Sequence, residues 1–126
     1  MQSKHFDVAA LSRLLAPATR VQFLPSASLG PMGKPMDKAG LLSVMENGRS
    51  TMKDGRLPME IIEVTDASAA GLIIAHTKSK GAFTVTGKPV TNEYSIIMWM
   101  DEVDGELKIT RVREFLDSAV VQSLRG

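Results

Sequence analysis

Three carboxylates stand in residues 92–118, a segment whose pattern predicts two strands joined by a turn: Glu93 near its start, and Glu114 and Asp117 near its end. A carboxyl group that faces the interior of a sheet loses its hydration, so its pKa rises toward neutrality. Such a group accepts and returns protons efficiently near pH 7. The chemistry of this segment therefore depends on which carboxylate faces inward, and that depends on the register of the two strands.

The turn at Asp104-Gly105 permits a two-residue loop or a three-residue loop that includes Val103. The two-residue register places Ser95 opposite Glu114 and mixes charged and apolar side chains on both faces. The three-residue register places Tyr94 opposite Glu114 and separates the two kinds of side chain. We predict the three-residue register, because the burial of an unpaired charge is costly.

In this register one face is apolar apart from a single acid, Glu114, which is therefore the predicted inward carboxylate. The other face carries Glu93, Arg111 and Arg113, which are expected to lie close enough to pair, beside Trp99. The predicted inward face holds these apolar or aromatic residues: Tyr94, Ile96, Met98, Met100, Val112 and Leu116.

The inward acid suggests general acid–base catalysis by Glu114, with Tyr94 either orienting the carboxyl group or donating a hydrogen bond to a developing oxyanion. Ile96, Met98 and Val112 would then contact an apolar substrate. In the structural alternative, Glu114 forms an ion pair with an arginine and takes part in no chemistry.

Other polar residues allow two interpretations each. His76 is a candidate proton shuttle if it faces the pocket, and otherwise an exposed strand residue. Asn92 is a candidate for binding a ligand carbonyl, or for satisfying loop backbone. Asp117 is predicted to be structural. Two isolated histidines, His5 and His76, make a metal site improbable, and the sequence predicts no cofactor.

Hydrophobic spacing predicts that helices precede strands along the chain. This order is typical of an α+β domain in which helices cover one face of a curved antiparallel sheet. Helices are predicted over 6–15 and 37–45, a loop over 25–35, a helix stop at 47–48, strands over 20–24, 59–64, 71–80, 91–100 and 107–116, and a final apolar segment over 119–124.

The 126 residues fit a single domain, and the formal charge of +1 gives no field that would collect nucleic acid. The absence of cysteine excludes disulfides and thiol catalysis and is natural in a reducing compartment, so a cytoplasmic protein is expected. No apolar run reaches the ~18 residues that a bilayer requires, so no membrane partner is predicted.

The segment NEYSIIMWMDEVDGELKITRVREFLDS, together with FLPSASLGP and GKPVTNEY, resembles SnoaL-like proteins of the nuclear-transport-factor-2-like superfamily, in particular fungal members. The resemblance spans most of residues 1–126 and implies one SnoaL-like domain. It implies a cone-shaped α+β barrel, in which a curved sheet wraps around N-terminal helices and encloses a pocket. It also implies assembly as a homodimer.

The resemblance also implies roles for two residues. Glu114 matches an acid that lines the pocket as a general acid or base, and Arg20 matches by position an arginine that holds a substrate oxygen. Relatives usually begin with a further helix before the segment that 6–15 matches. No such helix precedes this segment in the sequence, so we expect either that a segment is missing from its start or that the pocket is more open than usual.

The leading functional hypothesis is a cofactor-independent isomerase or cyclase that acts on an apolar, oxygenated secondary metabolite. One alternative is a non-catalytic protein that binds a small molecule or serves as a dimerising scaffold. Another is a hydratase, dehydratase or epoxide hydrolase that uses the same pocket.

Overall fold

The computed structural model describes residues 8–125 of the chain. Its order of elements confirms an α+β fold with helices on one side of a sheet. The α-helices are α1 (Val8–Leu14), α2 (Ser26–Leu29), α3 (Lys38–Ser50) and α4 (Ser118–Arg125). The strands are β1 (Leu15–Leu24), β2 (Met59–Ala67), β3 (Leu72–Ser79), β4 (Ala82–Phe83), β5 (Pro89–Val90), β6 (Glu93–Val103) and β7 (Glu106–Leu116).

Five strands form a sheet in the order β1-β7-β6-β3-β2, and β4 and β5 form a separate ribbon. The expectation of a wholly antiparallel sheet is wrong, because β1 runs parallel to β7. Parallel neighbours require a long crossover connection. Here residues 25–105, which contain most of the fold, lie between the two strands, and the large sheet stays open at β1 and β2.

The β6–β7 hairpin uses the two-residue turn, so the predicted three-residue loop is wrong. Val103 pairs with Glu106, and both Asp104 (φ 53°) and Gly105 (φ 80°) have the positive φ that a type I′ turn requires. The register then shifts between Trp99 and Met100, where the partner strand carries one extra residue.

This extra residue, Thr110, is a β-bulge, and its Oγ1 donates to the Trp99 carbonyl at 3.3 Å. Beyond the bulge Ile96 pairs with Glu114, whereas the prediction had placed Tyr94 there. The bulge offsets the error in loop length, so Glu114 still shares a face with Ile96 and Met98. A one-residue change in register moves every side chain to the opposite face. The shorter turn and the bulge each make one such change, so together they restore the predicted face.

One face of the sheet, which we call the helix-covered face, packs against α3 through its buried Leu41. Asp37 caps α3, because its Oδ1 accepts from the Gly40 N–H at 2.9 Å. The predicted stop at 47–48 lies inside the helix, which continues to Ser50. The buried cluster between helices and sheet contains Leu15, Val21, Phe23, Leu29, Leu41, Ile109 and Val112.

Two predictions at the ends of the chain have different outcomes. The predicted first helix begins in residues outside the described range, and its described part ends at Leu14, where β1 begins at once. The apolar segment after residue 118 forms α4. Among the described residues no helix has the length and hydropathy to cross a membrane, and the longest, α3, has 13 residues.

Candidate active site

Glu114 lies on the helix-covered face with an apolar residue on each side. Cross-strand pairing places Phe23 of β1 and Ile96 of β6 next to it, and alternation along β7 places Val112 and Leu116 on the same face. Phe23 is only 3% exposed, whereas Ile96 is half-buried. The sheet itself thus surrounds the carboxylate with hydrocarbon.

Burial raises the pKa of Glu114 from 4.5 to about 7, although part of the residue still contacts solvent. The cause is loss of hydration around the charged form. Among the described residues no ion pair or hydrogen bond is formed by the Glu114 side chain. The arginine ion pair of the structural alternative is therefore not formed there.

Tyr94 shares the helix-covered face with Glu114 but does not hydrogen-bond to it. The two residues lie diagonally, because Tyr94 pairs with Leu116 and Glu114 pairs with Ile96. The Tyr94 hydroxyl is instead hydrogen-bonded to Ser79 Oγ at 3.0 Å, on β3. Desolvation, and then the nearby Glu114 charge, raise the pKa of Tyr94, while the bond to Ser79 opposes them. The phenol is therefore neutral at pH 7.

His76 lies on the opposite side of the sheet, which we call the outer face. It pairs with Ser95, which in turn pairs with Phe115, and these three alternate with the residues of the helix-covered face. His76 Nε2 lies 2.5 Å from Glu93 Oε2. The structure therefore places His76 with Glu93 and not with Glu114.

Arg20 also lies on the outer face, where it pairs with Arg111. The guanidinium carbons of Arg111 and Arg113 lie 4.6 Å and 5.7 Å from the centre of the Trp99 ring, so both cations stack on the indole. The predicted pairing of these arginines with Glu93 is wrong, because the observed register carries Glu93 past the end of β7. The structure does not bring Arg20 to Glu114.

Asn92 is 4% exposed, and its amide bonds only to protein backbone. Its Oδ1 accepts from the Glu93 and Asp117 N–H groups at 2.8 and 2.9 Å, and its Nδ2 donates to the Asp117 carbonyl at 3.2 Å. Asp117 Oδ1 accepts from the Ala119 N–H at 2.9 Å at the start of α4. These contacts match the backbone interpretation of Asn92 and the structural interpretation of Asp117.

Ile96, Met98 and Val112 lie on the helix-covered face, and Ile96 and Met98 keep solvent contact. Phe23, the β1 residue that pairs with Glu114, is not among the site residues predicted from the sequence. The alternation of Val21 and Phe23 with polar residues signals an inward face for β1, but the parallel pairing that brings Phe23 to Glu114 has no signal in the sequence.

Two open clefts lie near the end of the sheet where β6 begins, and Glu114 lines neither. The larger, of about 520 Å³, is lined by Glu60, Lys78, Ser79, Lys80, Thr91, Asn92 and Glu93. The smaller, of about 360 Å³, is lined by His76, Glu93, Tyr94, Ser95, Phe115, Leu116 and Asp117. Within residues 8–125 no three His, Asp or Glu side chains are grouped as metal ligands would be. His5 lies outside that range.

The β2 end of the helix-covered face is open to solvent. Ile61 and Val64 pair with Thr77 and Ala75 and therefore share this face, yet they are 68% and 54% exposed. The described helices thus cover the β1 and β7 side of the face and leave an apolar surface at the β2 side.

No protein-family model and no curated protein matches the sequence. The fold is similar to that of PrhC from Penicillium brasilianum NBRC 6234, with a TM-score of 0.76 and 20% identity over 94% of this chain and 74% of that one. It is similar to BvnE pinacolase from Penicillium brevicompactum, with a TM-score of 0.75 and 17% identity over 94% and 79% of the two chains.

A third similar structure is an NTF2-like protein of unknown function from Burkholderia pseudomallei K96243. Its TM-score is 0.71, with 13% identity over 94% of this chain and 84% of that one. These likenesses confirm the expected α+β fold, which this chain shares with an NTF2-like protein.

Proposed function

We propose that this fold holds Glu114 as the general acid–base of a cofactor-independent isomerase or cyclase acting on an apolar, oxygenated metabolite. The observation that carries the proposal is the position of Glu114 between Phe23 and Ile96, where burial raises its pKa to about 7. Near neutral pH such a carboxyl group is present in both protonation states, which suits it to removing a proton and then returning it.

In an isomerisation, the Glu114 carboxylate would remove a proton from carbon next to a carbonyl group and form an enol or enolate. The protonated Glu114 would then return that proton at a second carbon of the conjugated system. Atoms and charge balance without any further reactant. Ile96, Met98 and Val112 would contact the hydrocarbon of the substrate; Ile96 and Met98 keep solvent contact, whereas Val112 is buried.

Similar solved structures support this class of reaction without fixing the substrate. One of them is named a pinacolase, BvnE from Penicillium brevicompactum. Because its identity to this chain is 17%, it supports the fold, and the reaction stays a proposal. Arg20 and His76 have no part in the proposed step, since they lie on the outer face.

The experiment uses cyclohex-3-enone, a small ketone whose isomerisation to cyclohex-2-enone needs one proton removal and one proton return. Wild-type protein should accelerate the formation of the conjugated ketone, followed by its ultraviolet absorbance. Glu114→Gln should reduce kcat/KM by about 10²–10⁴-fold, because glutamine has no titratable proton. Glu93→Gln, which removes a carboxylate from the outer face, is the matched control and should retain activity.

The alternative functions give other outcomes. If wild type binds the ketone without isomerising it, the non-catalytic binder is favoured. Full activity in Glu114→Gln would refute the role of Glu114. Activity on an epoxide or a β-hydroxy ketone, with none on the enone, would favour the hydrolase or dehydratase alternative in the same pocket.

The proposal extends to a homodimer that works in the cytoplasm. On the outer face, Arg20 and Arg111 lie toward one end of the strands, and Glu63 and Glu93 lie toward the other. A two-fold axis through the middle of this face would bring the basic end of one copy onto the acidic end of the other. The exposed ring of Phe115 would be buried between them.

A further inference from the structure

A second group of polar side chains lies on the helix-covered face, away from Glu114. Thr77 of β3 pairs with Tyr94 of β6, and Tyr94 pairs with Leu116 of β7, so all three share that face. Ser79 follows two residues after Thr77 and is bonded to the Tyr94 hydroxyl. This end of the face therefore holds three hydroxyl groups within two neighbouring strands.

Thr77 is 6% exposed, and within the described chain its Oγ1 has no hydrogen-bond partner. A buried hydroxyl left unpaired costs roughly 1–3 kcal/mol. Buried polar atoms in native proteins are nearly always satisfied, so an exception calls for a cause. A ligand oxygen that completes the bond would be such a cause, and rotation about χ1 exchanges the hydroxyl and methyl positions of threonine.

The separation from Glu114 follows from the sheet. Glu114 is on β7 and Thr77 on β3, with β6 between them and an offset of two residues along the strands, so the two side chains start about 12 Å apart. The residues between them are apolar: Ile96, which keeps solvent contact, pairs with Ala75, which is buried. The arrangement places two polar points at the ends of a hydrocarbon surface.

We propose that Thr77, Ser79 and Tyr94 form a second subsite, which binds a carbonyl or hydroxyl oxygen at the far end of the substrate. The ligand class is a rigid, fused-ring compound with oxygen at both ends, one at Glu114 and one at Thr77. This inference rests on the proposed function, because Glu114 binds the reacting end.

The test uses two fluorescent probes of one shape: naphthalene-2,6-diol, with a hydroxyl at each end, and 2-naphthol, with one. Wild type should bind the diol about 10-fold more tightly, since one added hydrogen bond contributes about 1.4 kcal/mol. Thr77→Val keeps the shape and removes the hydroxyl. The preference of this variant for the diol over 2-naphthol should fall to about two-fold, because the symmetric diol can bind in two equivalent orientations. Its melting temperature should stay unchanged or rise.

Thr19→Val is the matched control. Thr19 lies on β1 and is fully buried, and its Oγ1, like that of Thr77, has no partner in the described chain. It should keep the 10-fold preference. Thr77→Ser, which restores a hydroxyl, should keep it too and serves if the valine variant does not fold. Probe fluorescence titration gives each Kd.

Two results would overturn the inference: no tighter binding of the diol by wild type, or an unchanged preference in Thr77→Val. If the preference were unchanged and the melting temperature of Thr77→Val fell, a structural water would account for the unpaired hydroxyl. Glu114→Gln separates the two proposals. The single variant should lose isomerisation of the enone. When Thr77→Val is added to Glu114→Gln, the preference for the diol should still fall.

Discussion

The environment of Glu114 is simple at the scale of the residue. Its pKa is raised by desolvation alone, and neither a neighbouring cation nor a hydrogen-bond donor within residues 8–125 counters that effect. An ionised carboxylate held in this way lowers the stability of the folded protein. Removing the charge should therefore have opposite effects on activity and on stability.

We predict that Glu114→Gln stabilises the protein at alkaline pH. The pKa of Glu114 is about 7 in the folded protein and 4.5 in the unfolded chain. Its contribution to the free energy of unfolding is therefore fully present below pH 4.5 and is lost as the pH rises through 7. Relative to wild type, the variant should be more stable by up to roughly 3 kcal/mol at pH 8, with little of that gain at pH 4. Urea denaturation at the two pH values measures the difference.

Glu93→Gln serves again as the control, because Glu93 is an exposed carboxylate that bonds to His76. It should show no such gain at pH 8. If Glu114→Gln were equally destabilising at both pH values, the carboxylate would have to make a stabilising contact, and the desolvation account would be refuted.

Some of these residue properties are visible in the sequence. That Glu114 shares a face with Val112 and Leu116 follows from alternation along β7, and the structure places the three residues on one face. The partner of Tyr94 was beyond prediction, because Ser79 reaches it only through the pairing of β3 with β6. The sides of the sheet on which His76 and Arg20 lie depend on registers that the sequence does not specify.

At the scale of the element, the Asn92 side chain connects the start of β6 to the end of β7 through hydrogen bonds. Its three hydrogen bonds hold the backbone of Glu93 and Asp117, and Asp117 in turn starts α4. A single buried amide thus fixes the relative position of two strands and a helix. The same end of the sheet carries Tyr94 and Ser79.

Replacing Asn92 with alanine should lower the free energy of unfolding by roughly 2–3 kcal/mol, because buried backbone groups lose their partners. Urea denaturation of the purified variant measures this loss. Asn47→Ala is the control, since Asn47 is exposed in α3 and alanine favours helices, so its stability should be unchanged or slightly higher. Equal stabilities for both variants would contradict the role of Asn92.

The bulge at Thr110 explains why the register of the hairpin was mispredicted. Ile109 and Val112 are both buried in the core although they are three residues apart, which strict alternation does not allow. That spacing is a sequence signal for an inserted residue. The signal is weak, because Thr110 alone separates the apolar alternation before the bulge from the apolar alternation after it. The lengths of β6 and β7, in contrast, were predicted within a few residues.

At the scale of the whole molecule, the two faces of the sheet have different roles in the proposals. We predict that the protein sediments as a dimer with twice the 13.6 kDa mass of one chain. Phe115→Glu, on the outer face, should shift the equilibrium to monomer, because it places a charge in the proposed interface. Sedimentation equilibrium over a range of concentrations measures the mass.

Val64→Glu is the counterpart on the helix-covered face, at a similarly exposed position. It should leave the dimer intact. A wild-type protein that stays monomeric at high concentration would refute the interface, and so would dissociation caused by Val64→Glu to the same extent as by Phe115→Glu.

The α+β class was predictable from the order of helical and strand patterns along the chain. The strand order was not, because periodicity reports which side of a strand is apolar and says nothing of its neighbours. The parallel contact of β1 with β7 joins residues about ninety positions apart in the chain. It determines the position of Phe23 beside Glu114 and makes β1 one edge of the large sheet.

That contact also has a consequence for synthesis on the ribosome. Strand β1 emerges early, but its only neighbour in the large sheet, β7, emerges after all the other strands. Until residue 116 has left the exit tunnel, Val21 and Phe23 cannot pair with β7, and the nascent chain exposes apolar residues at this edge. Ribosome-bound chains that stop short of β7 should therefore recruit chaperones that complete chains do not.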